Sequence, residues 1–246
     1  FFFKQKTAYE ISTRDWSSDV CSSDLLALAG CKTESSGDAP TMRLAGDTDP
    51  MTTGAIKNPR FTVEPGVENW FHERGAALPV TDTLAYCHGF GCEFKTAIPM
   101  GEAEYGALSA IFAKHAANPD DERVGVNLAD QWWENHSAPM LGGPPDKRGS
   151  DLADAHKPGQ TDCIDEATNT TTLLVYLERK GLLRYHHVKR PESRGAFLYA
   201  HATAVMTDKT TGVDWIADSW MRDSGDPIDV MTLEEWFSRA YVDPVS

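Results

Sequence analysis

Three residues in the second half of the chain, Cys163, His201 and Asp218, are of the types that nucleophilic acyl transfer requires. A thiol can attack a carbonyl carbon, an imidazole can take up and return the thiol's proton, and a carboxylate can hold the imidazole in the required tautomer. Thr161 or Asp162 is a good helix N-cap, so Cys163 falls in the first turn of a predicted helix that continues to about Gly181. Because the N–H groups and the dipole at this end of a helix lower the pKa of a thiol, the position favours a reactive cysteine.

Acidic neighbours of Cys163 act in the opposite direction. Asp162, Asp165 and Glu166 disfavour a thiolate through their negative charge. Ionisation of the thiol therefore needs a cationic partner, and His201 is the candidate.

His201 and Asp218 lie on two predicted strands joined by a turn-rich segment, residues 208–212. Alternation along the first strand places His201 on the same face as Thr203 and Val205. A loop symmetric about residues 209 and 210 places His201 directly opposite Asp218, with Cβ atoms ~5 Å apart. A bulge at Gly212 would shift this register by one residue.

The order and spacing of these residues resemble the transglutaminase-like branch of the papain-like cysteine enzymes. His201 follows Cys163 by 38 residues, Asp218 follows His201 by 17, and the similarity covers residues 159–236. The resemblance implies a papain-like α+β fold, in which the helix bearing the cysteine packs on an antiparallel sheet bearing the histidine and the aspartate. It also implies that Cys163 is the nucleophile, His201 the general base and acid, and Asp218 the orienting residue. No cofactor or metal is expected.

An acyl-transfer site also needs hydrogen-bond donors for the oxyanion, each worth about 3 kcal/mol. The backbone N–H of Cys163 is one natural donor. The side chain of Gln160, three residues upstream, is a candidate for the second. The alternative interpretation of Gln160 is a loop amide that bonds the backbone of its own turn.

The composition fits one globular domain with a tail. Of the 246 residues, 41% are hydrophobic and 24% charged. The 23 Lys and Arg against 37 Asp and Glu give a formal charge of -14, which opposes binding to nucleic acid. No stretch approaches the ~20 apolar residues that a spanning helix needs, so we expect any membrane attachment to be covalent or peripheral.

The N-terminal part of the sequence contains three predicted segments. Residues 1–25 resemble a translated sequencing-adapter artefact, the alternative being a disordered leader, and they carry no functional argument. Residues 26–31 resemble the end of a bacterial lipoprotein signal, with a Leu-Ala-Gly-Cys lipobox that ends at Cys31. That resemblance implies a lipid anchor on Cys31 and an exported protein, periplasmic or on the outer surface. Residues 32–60 are predicted to form a flexible linker, and residues 61–246 the domain.

Cys87 and Cys92 flank the glycine-containing turn of a predicted hairpin. In an exported protein a disulfide between them is favoured. Cys163 is then the unpaired thiol once Cys31 is lipidated. The alternative adds His88 to the two cysteines as a zinc site, although this short span offers only three ligands.

Helices precede strands through most of the domain, which indicates an α+β fold. His186 and His187 are predicted to form an exposed basic strand end. The predicted strands are 83–87, 92–98, 185–188, 196–206 and 213–219, and the predicted helices are 102–117, 119–136, 163–180 and 232–239.

The expected substrate is a peptide, protein or cell-wall amide, and hydrolysis is the expected outcome because no protected site for an amine acceptor is evident. Since a lone helical cysteine is commonly a buried apolar residue, the alternative is a non-catalytic peptide- or cell-wall-binding lipoprotein that keeps the fold.

Overall fold

The computed structural model describes residues 61–149, 151–195 and 200–239, which lie within one compact unit, Ala55–Ser246. The predictions for the first 60 residues, including the lipid anchor on Cys31, lie outside the described residues. Among the helices in the described ranges, none is long and apolar enough to cross a membrane.

The described residues form five helices and six strands in an α+β arrangement, which confirms the coarse fold class. The first two strands form a separate antiparallel hairpin, and the other four form an antiparallel sheet in the order β3-β4-β5-β6. The elements are α1 (Pro65–Glu73), β1 (Thr83–His88), β2 (Phe94–Pro99), α2 (Glu102–Phe112), α3 (Pro119–Ser137), α4 (Cys163–Arg179), β3 (His186–Arg194), β4 (His201–Asp208), β5 (Asp214–Asp218), β6 (Asp229–Thr232) and α5 (Leu233–Ser238).

The central element is α4, which packs against the hairpin and against one face of the four-stranded sheet. Every residue of α4 from Asp165 to Leu177 is buried. The side chain of Asn169 fastens the helix to β1, because its amide accepts from the backbone N–H of Cys87 at 2.7 Å and donates to the carbonyl of Cys87 at 2.8 Å. A buried amide satisfied at both ends in this way fixes the helix against the strand.

The other face of the sheet is covered by α5. Trp236 of α5 forms an apolar cluster with Val205, Ile216 and Met231. Because side chains alternate along a strand, neighbours of Val205 such as Ala204 belong instead to the core around α4. The sheet is therefore buried on both surfaces, one under α4 and one under α5.

The register between β4 and β5 differs by two residues from the predicted one. Val205 pairs with Ile216, and the backbone N–H of Asp208 donates to the carbonyl of Val213 at 2.9 Å. The connecting loop therefore comprises residues 209–212 and is centred one residue later than predicted. Because a shift of two residues preserves the face of every side chain, His201 and Asp218 stay on one surface as diagonal rather than direct neighbours.

The predicted exposed basic strand end is wrong for His186, which is fully buried. Its Nε2 atom lies 3.0 Å from the guanidinium of Arg123, which can only donate. The Nδ1–H therefore donates to the carboxylate of Glu122 at 2.9 Å. Glu122 also accepts the backbone N–H groups of Tyr185 and His186, so α3 draws this end of β3 into the interior.

Candidate active site

Cys163 is the first residue of α4, as the N-cap pattern predicts. The carboxylate of Asp162 accepts the backbone N–H groups of Ile164 at 3.0 Å and Asp165 at 2.9 Å. The carboxylate of Asp165 in turn accepts the N–H of Asp162 at 3.3 Å. This reciprocal capping box satisfies the N–H groups at the start of the helix and fixes the first turn that bears the thiol.

His201 and Asp218 are in direct contact. The Nε2 atom of His201 lies 2.6 Å from Oδ2 of Asp218, and both side chains are buried. The indole N–H of Trp236 donates to the same Oδ2 atom at 3.0 Å. The rings of Trp220 and Trp236 lie 4.5 Å and 5.5 Å from the imidazole, measured between centroids. The carboxylate and the two indoles together hold the imidazole in one orientation with Nε2 protonated.

The thiol approaches this pair at the N-terminal end of β4. The Sγ atom of Cys163 lies 3.7 Å from the carbonyl oxygen of Ala200, and the backbone of Ala202 forms a hydrogen bond that favours the thiolate. The sulfur therefore contacts backbone on both sides of His201. The imidazole itself lies on the surface under α5, next to Trp236. The contact between thiol and imidazole that a triad requires stays a prediction.

The pKa of Cys163 is raised to about 12, mainly by burial and then by the charge of Asp162. Asp218 and Asp165 raise it further, whereas the backbone hydrogen bond from Ala202 lowers it. The expectation that the helix terminus lowers this pKa is therefore wrong for the resting protein, because desolvation and three carboxylates outweigh the helix dipole. The resting thiol is neutral, which agrees with its position as a donor to the carbonyl of Ala200.

The structure places Gln160 in the loop before α4. Its side-chain amide donates to the carbonyl of Pro144 at 3.1 Å, and the backbone carbonyl of Gln160 accepts the N–H of Gly89 at 2.6 Å. The amide thus bonds loop backbone in the resting protein, and its role as an oxyanion donor stays a prediction.

A buried hydrogen-bond bridge, which no local pattern in the sequence indicates, joins the two halves of the site. Glu166 on α4 accepts the hydroxyl of Thr161 at 2.5 Å and the hydroxyl of Ser219 at 2.5 Å. Thr161 precedes Cys163 by two residues, and Ser219 follows Asp218 directly. The bridge therefore fixes the start of the nucleophile helix relative to the orienting aspartate. Glu166 resembles an ordinary solvated acid in the sequence, and only the fold shows that it is buried and that burial raises its pKa.

Cys87 and Cys92 form the predicted disulfide, and Cys163 is the free cysteine in the described part of the chain. The ring of His88 lies 2.9 Å from the hydroxyl of Thr96 through Nε2 and accepts the N–H of Gly159 at 3.1 Å through Nδ1. The zinc alternative requires thiolates, which a disulfide does not offer.

Metal-ligating atoms do meet at one place near the disulfide. Cys87, Cys92 and the carboxylate of Asp165 lie within 4.8 Å of one another. This group could hold a metal only with the disulfide reduced.

An open cavity of about 740 Å³ begins beside the start of α4. Gln160 and Thr161 are among its lining residues, together with charged residues of both signs such as Lys147, Arg148 and Asp151. Such a polar lining suits a peptide-like ligand better than a hydrocarbon chain.

Comparison with protein-family models, with curated proteins and with solved structures finds no match to the chain. The case for a function therefore depends on the residues and their geometry.

Proposed function

We propose that the protein is a thiol-dependent acyl-transfer enzyme that hydrolyses amide or peptide bonds through Cys163, His201 and Asp218. The proposal includes membership of the transglutaminase-like branch of the papain-like enzymes. The observation that carries it is the buried His201–Asp218 contact of 2.6 Å beside a free thiol at a helix N-terminus. An imidazole held by a carboxylate in this way can stabilise the positive charge that it acquires with the thiol's proton.

The reaction begins with proton transfer from Cys163 to His201. Because Asp218 engages Nε2, Nδ1 is the ring atom that takes the proton. The thiolate attacks the carbonyl carbon of the amide, and the resulting oxyanion accepts the N–H of Cys163. His201 then returns the proton to the leaving amine. Water, activated by the same imidazole, hydrolyses the acyl-thioester and restores the thiol.

The high pKa of the resting thiol defines what substrate binding must accomplish. The S–H of Cys163 must leave the carbonyl of Ala200 and turn toward His201. In this state the ion pair is stabilised by Asp218, whose charge disfavours an isolated thiolate but favours the imidazolium. The cavity is lined by Gln160 and Thr161, which precede Cys163 by three and two residues, and not by Cys163, His201 or Asp218, so access of a bound peptide to the thiol is part of the proposal.

Alkylation kinetics test the proposal. We expect iodoacetamide to label Cys163, and His201→Ala and Asp218→Asn to slow the labelling at least tenfold at pH 7.5, because each removes part of the proton acceptor. His187→Ala is the matched control, since this half-exposed histidine lies on β3 and should leave the rate unchanged. Equal rates in the parent and His201→Ala would contradict the triad.

A second measurement follows the covalent step. An activated ester such as p-nitrophenyl acetate should leave an acetyl group on Cys163, detected by mass spectrometry of the intact protein and its peptides. His201→Ala should abolish this adduct because the thiol stays protonated. An acetylated Cys163 in both proteins at equal rates would indicate a merely exposed thiol.

A non-catalytic binding protein is the second candidate, and the raised pKa of Cys163 favours it. In that case the polar cavity binds peptide or cell-wall material while the thiol stays neutral. Binding of a cell-wall peptide that is retained in Cys163→Ala, together with no turnover by the parent protein, would support this candidate over the enzyme.

A further inference from the structure

The turn closed by the disulfide contacts the helix that bears the candidate nucleophile. Four consecutive residues of this turn, 89–92, have positive φ angles between 60° and 87°. Two of them, Phe90 and Cys92, are not glycine, and such residues rarely adopt this conformation. Successive left-handed residues direct backbone N–H groups inward, which creates a concave site for an anion.

The groups held by the turn are the two carboxyl groups of the capping box, and burial raises the pKa of Asp165 to about 8. The N–H of Phe90 donates to Asp165 at 2.8 Å and the N–H of Cys92 donates to the other oxygen of Asp165 at 2.5 Å. The N–H of Gly91 donates to Asp162 at 3.1 Å. Each carboxylate therefore receives N–H donors both from its own helix and from the turn.

These carboxylates also act on the thiol. Asp162 and Asp165 are two of the three acids whose charge disfavours the thiolate of Cys163, the third being Asp218 on β5. The titratable group that β4 contributes to the site is the imidazole of His201. The N–H donors of Phe90 and Cys92 lower the pKa of Asp165 and so favour its negatively charged form.

We propose that the disulfide-closed turn is a positioning element for Cys163, so that the reactivity of the thiol depends on the Cys87–Cys92 bond through Asp162 and Asp165. With the bond closed, the turn holds both carboxyl groups in place and favours their ionised forms, which disfavour the thiolate. With the bond open, the turn is free to leave its left-handed conformation, Asp165 loses these donors and keeps its proton to higher pH, and the thiolate becomes more favourable. This inference deepens the proposed function, but it concerns the thiol and not turnover.

The test is a double-mutant cycle read by iodoacetamide labelling of Cys163 across pH. In Cys87→Ser/Cys92→Ser we expect the apparent pKa of labelling to fall and the rate at pH 8.5 to rise about tenfold, the change that one pKa unit produces. With Asp165→Asn added, the same pair of serines should change the rate less than twofold relative to Asp165→Asn alone, because residue 165 then carries no charge that the turn can stabilise. Equal factors in both backgrounds would overturn the proposal, since a general loosening of the fold is additive.

A matched control and a second variant keep the test decisive. Ala97→Gly weakens the same hairpin on exposed β2 without touching the turn, and it should leave the labelling rate within twofold of the parent. If near-UV circular dichroism shows that the serine pair does not fold, Gly91→Ala replaces it. At Gly91 (φ +62°) an added methyl group meets no atom within 4 Å, so it strains the turn without a clash. An unchanged rate in Gly91→Ala would then contradict the proposal.

Failure of this inference and failure of the proposed function are distinguishable. If His201→Ala leaves labelling unchanged while the cycle is non-additive, the turn positions a thiol that is not part of a triad. If His201→Ala slows labelling and the cycle is additive, the triad stands without the turn.

Discussion

Replacing the buried Asp130 on α3 with Asn should remove the pH dependence that its carboxyl group imposes on the free energy of unfolding. Burial, and then the charge of Glu166, raise the pKa of Asp130 from 3.8 to about 7. The folded state therefore keeps a proton that the unfolded state releases above about pH 4. Since the folded state binds more protons in this range, the free energy of unfolding falls as the pH rises from about 4 to about 7 and is level above that.

The size of the effect follows from the pKa difference. About three pKa units at 1.36 kcal/mol each correspond to roughly 4 kcal/mol of lost stability, of which about 3 kcal/mol falls between pH 5 and pH 8. Asp130→Asn is neutral at every pH and removes this loss. The difference in stability between Asp130→Asn and the parent should therefore grow by about 3 kcal/mol in favour of the variant from pH 5 to pH 8.

Urea denaturation at several pH values measures this difference. Asp121→Asn on the same helix is the control, because hydrogen bonds from Ala117 and His115 lower the pKa of Asp121. Its difference from the parent should be constant above pH 5 and change only below about pH 4. A constant difference for Asp130→Asn between pH 5 and pH 8 would refute the reasoning, since the folded protein would then hold Asp130 ionised.

Three further substitutions test the geometry of the fold and the site. Trp236→Phe keeps an aromatic ring but removes the indole N–H that donates to Asp218. Because hydrogen bonds to charged groups are worth about 1.5–3 kcal/mol, iodoacetamide labelling of Cys163 should slow roughly 10- to 100-fold. A labelling rate within twofold of the parent would exclude this role of Trp236. Gly143→Ala places a Cβ atom 1.8 Å from the carbonyl oxygen of Pro158 and should cost at least about 2 kcal/mol in urea denaturation. Gly106→Ala, where the added atom meets nothing within 4 Å, should instead stabilise the protein by up to about 1 kcal/mol.

Local patterns in the sequence were sufficient to predict most of the elements that carry the site. Caps and turns act over a few residues, so Asp162 predicted the start of α4, and the glycines between Cys87 and Cys92 predicted the hairpin. The face shared by His201 and Asp218 was also predictable, because alternation along a strand survives a register shift of two residues.

Contacts between distant elements were not predictable from local pattern. The burial of Glu166 depends on Thr161 and Ser219 meeting across the fold, and no spacing rule reveals that meeting. The raised pKa of Cys163 has the same origin, because desolvation is a property of the packed structure and outweighs the helix dipole that the sequence does reveal. The predicted register of the β4–β5 hairpin was wrong for a local reason, since Lys209 and Thr210 do not specify where a polar loop is centred.

The side chain of Arg123 on α3 links this helix to three strands of the sheet. From α3, its guanidinium stacks 3.6 Å over the ring of Trp215 on β5, donates to His186 on β3 at 3.0 Å, and lies 3.6 Å from the carboxylate of Asp208 at the end of β4. A helix and three strands secured by one buried cation should open together and not one at a time. The slowly exchanging amide protons of α3 and of the edge strand β3 should therefore report one and the same free energy of opening. This side of the molecule is then one cooperative unfolding unit.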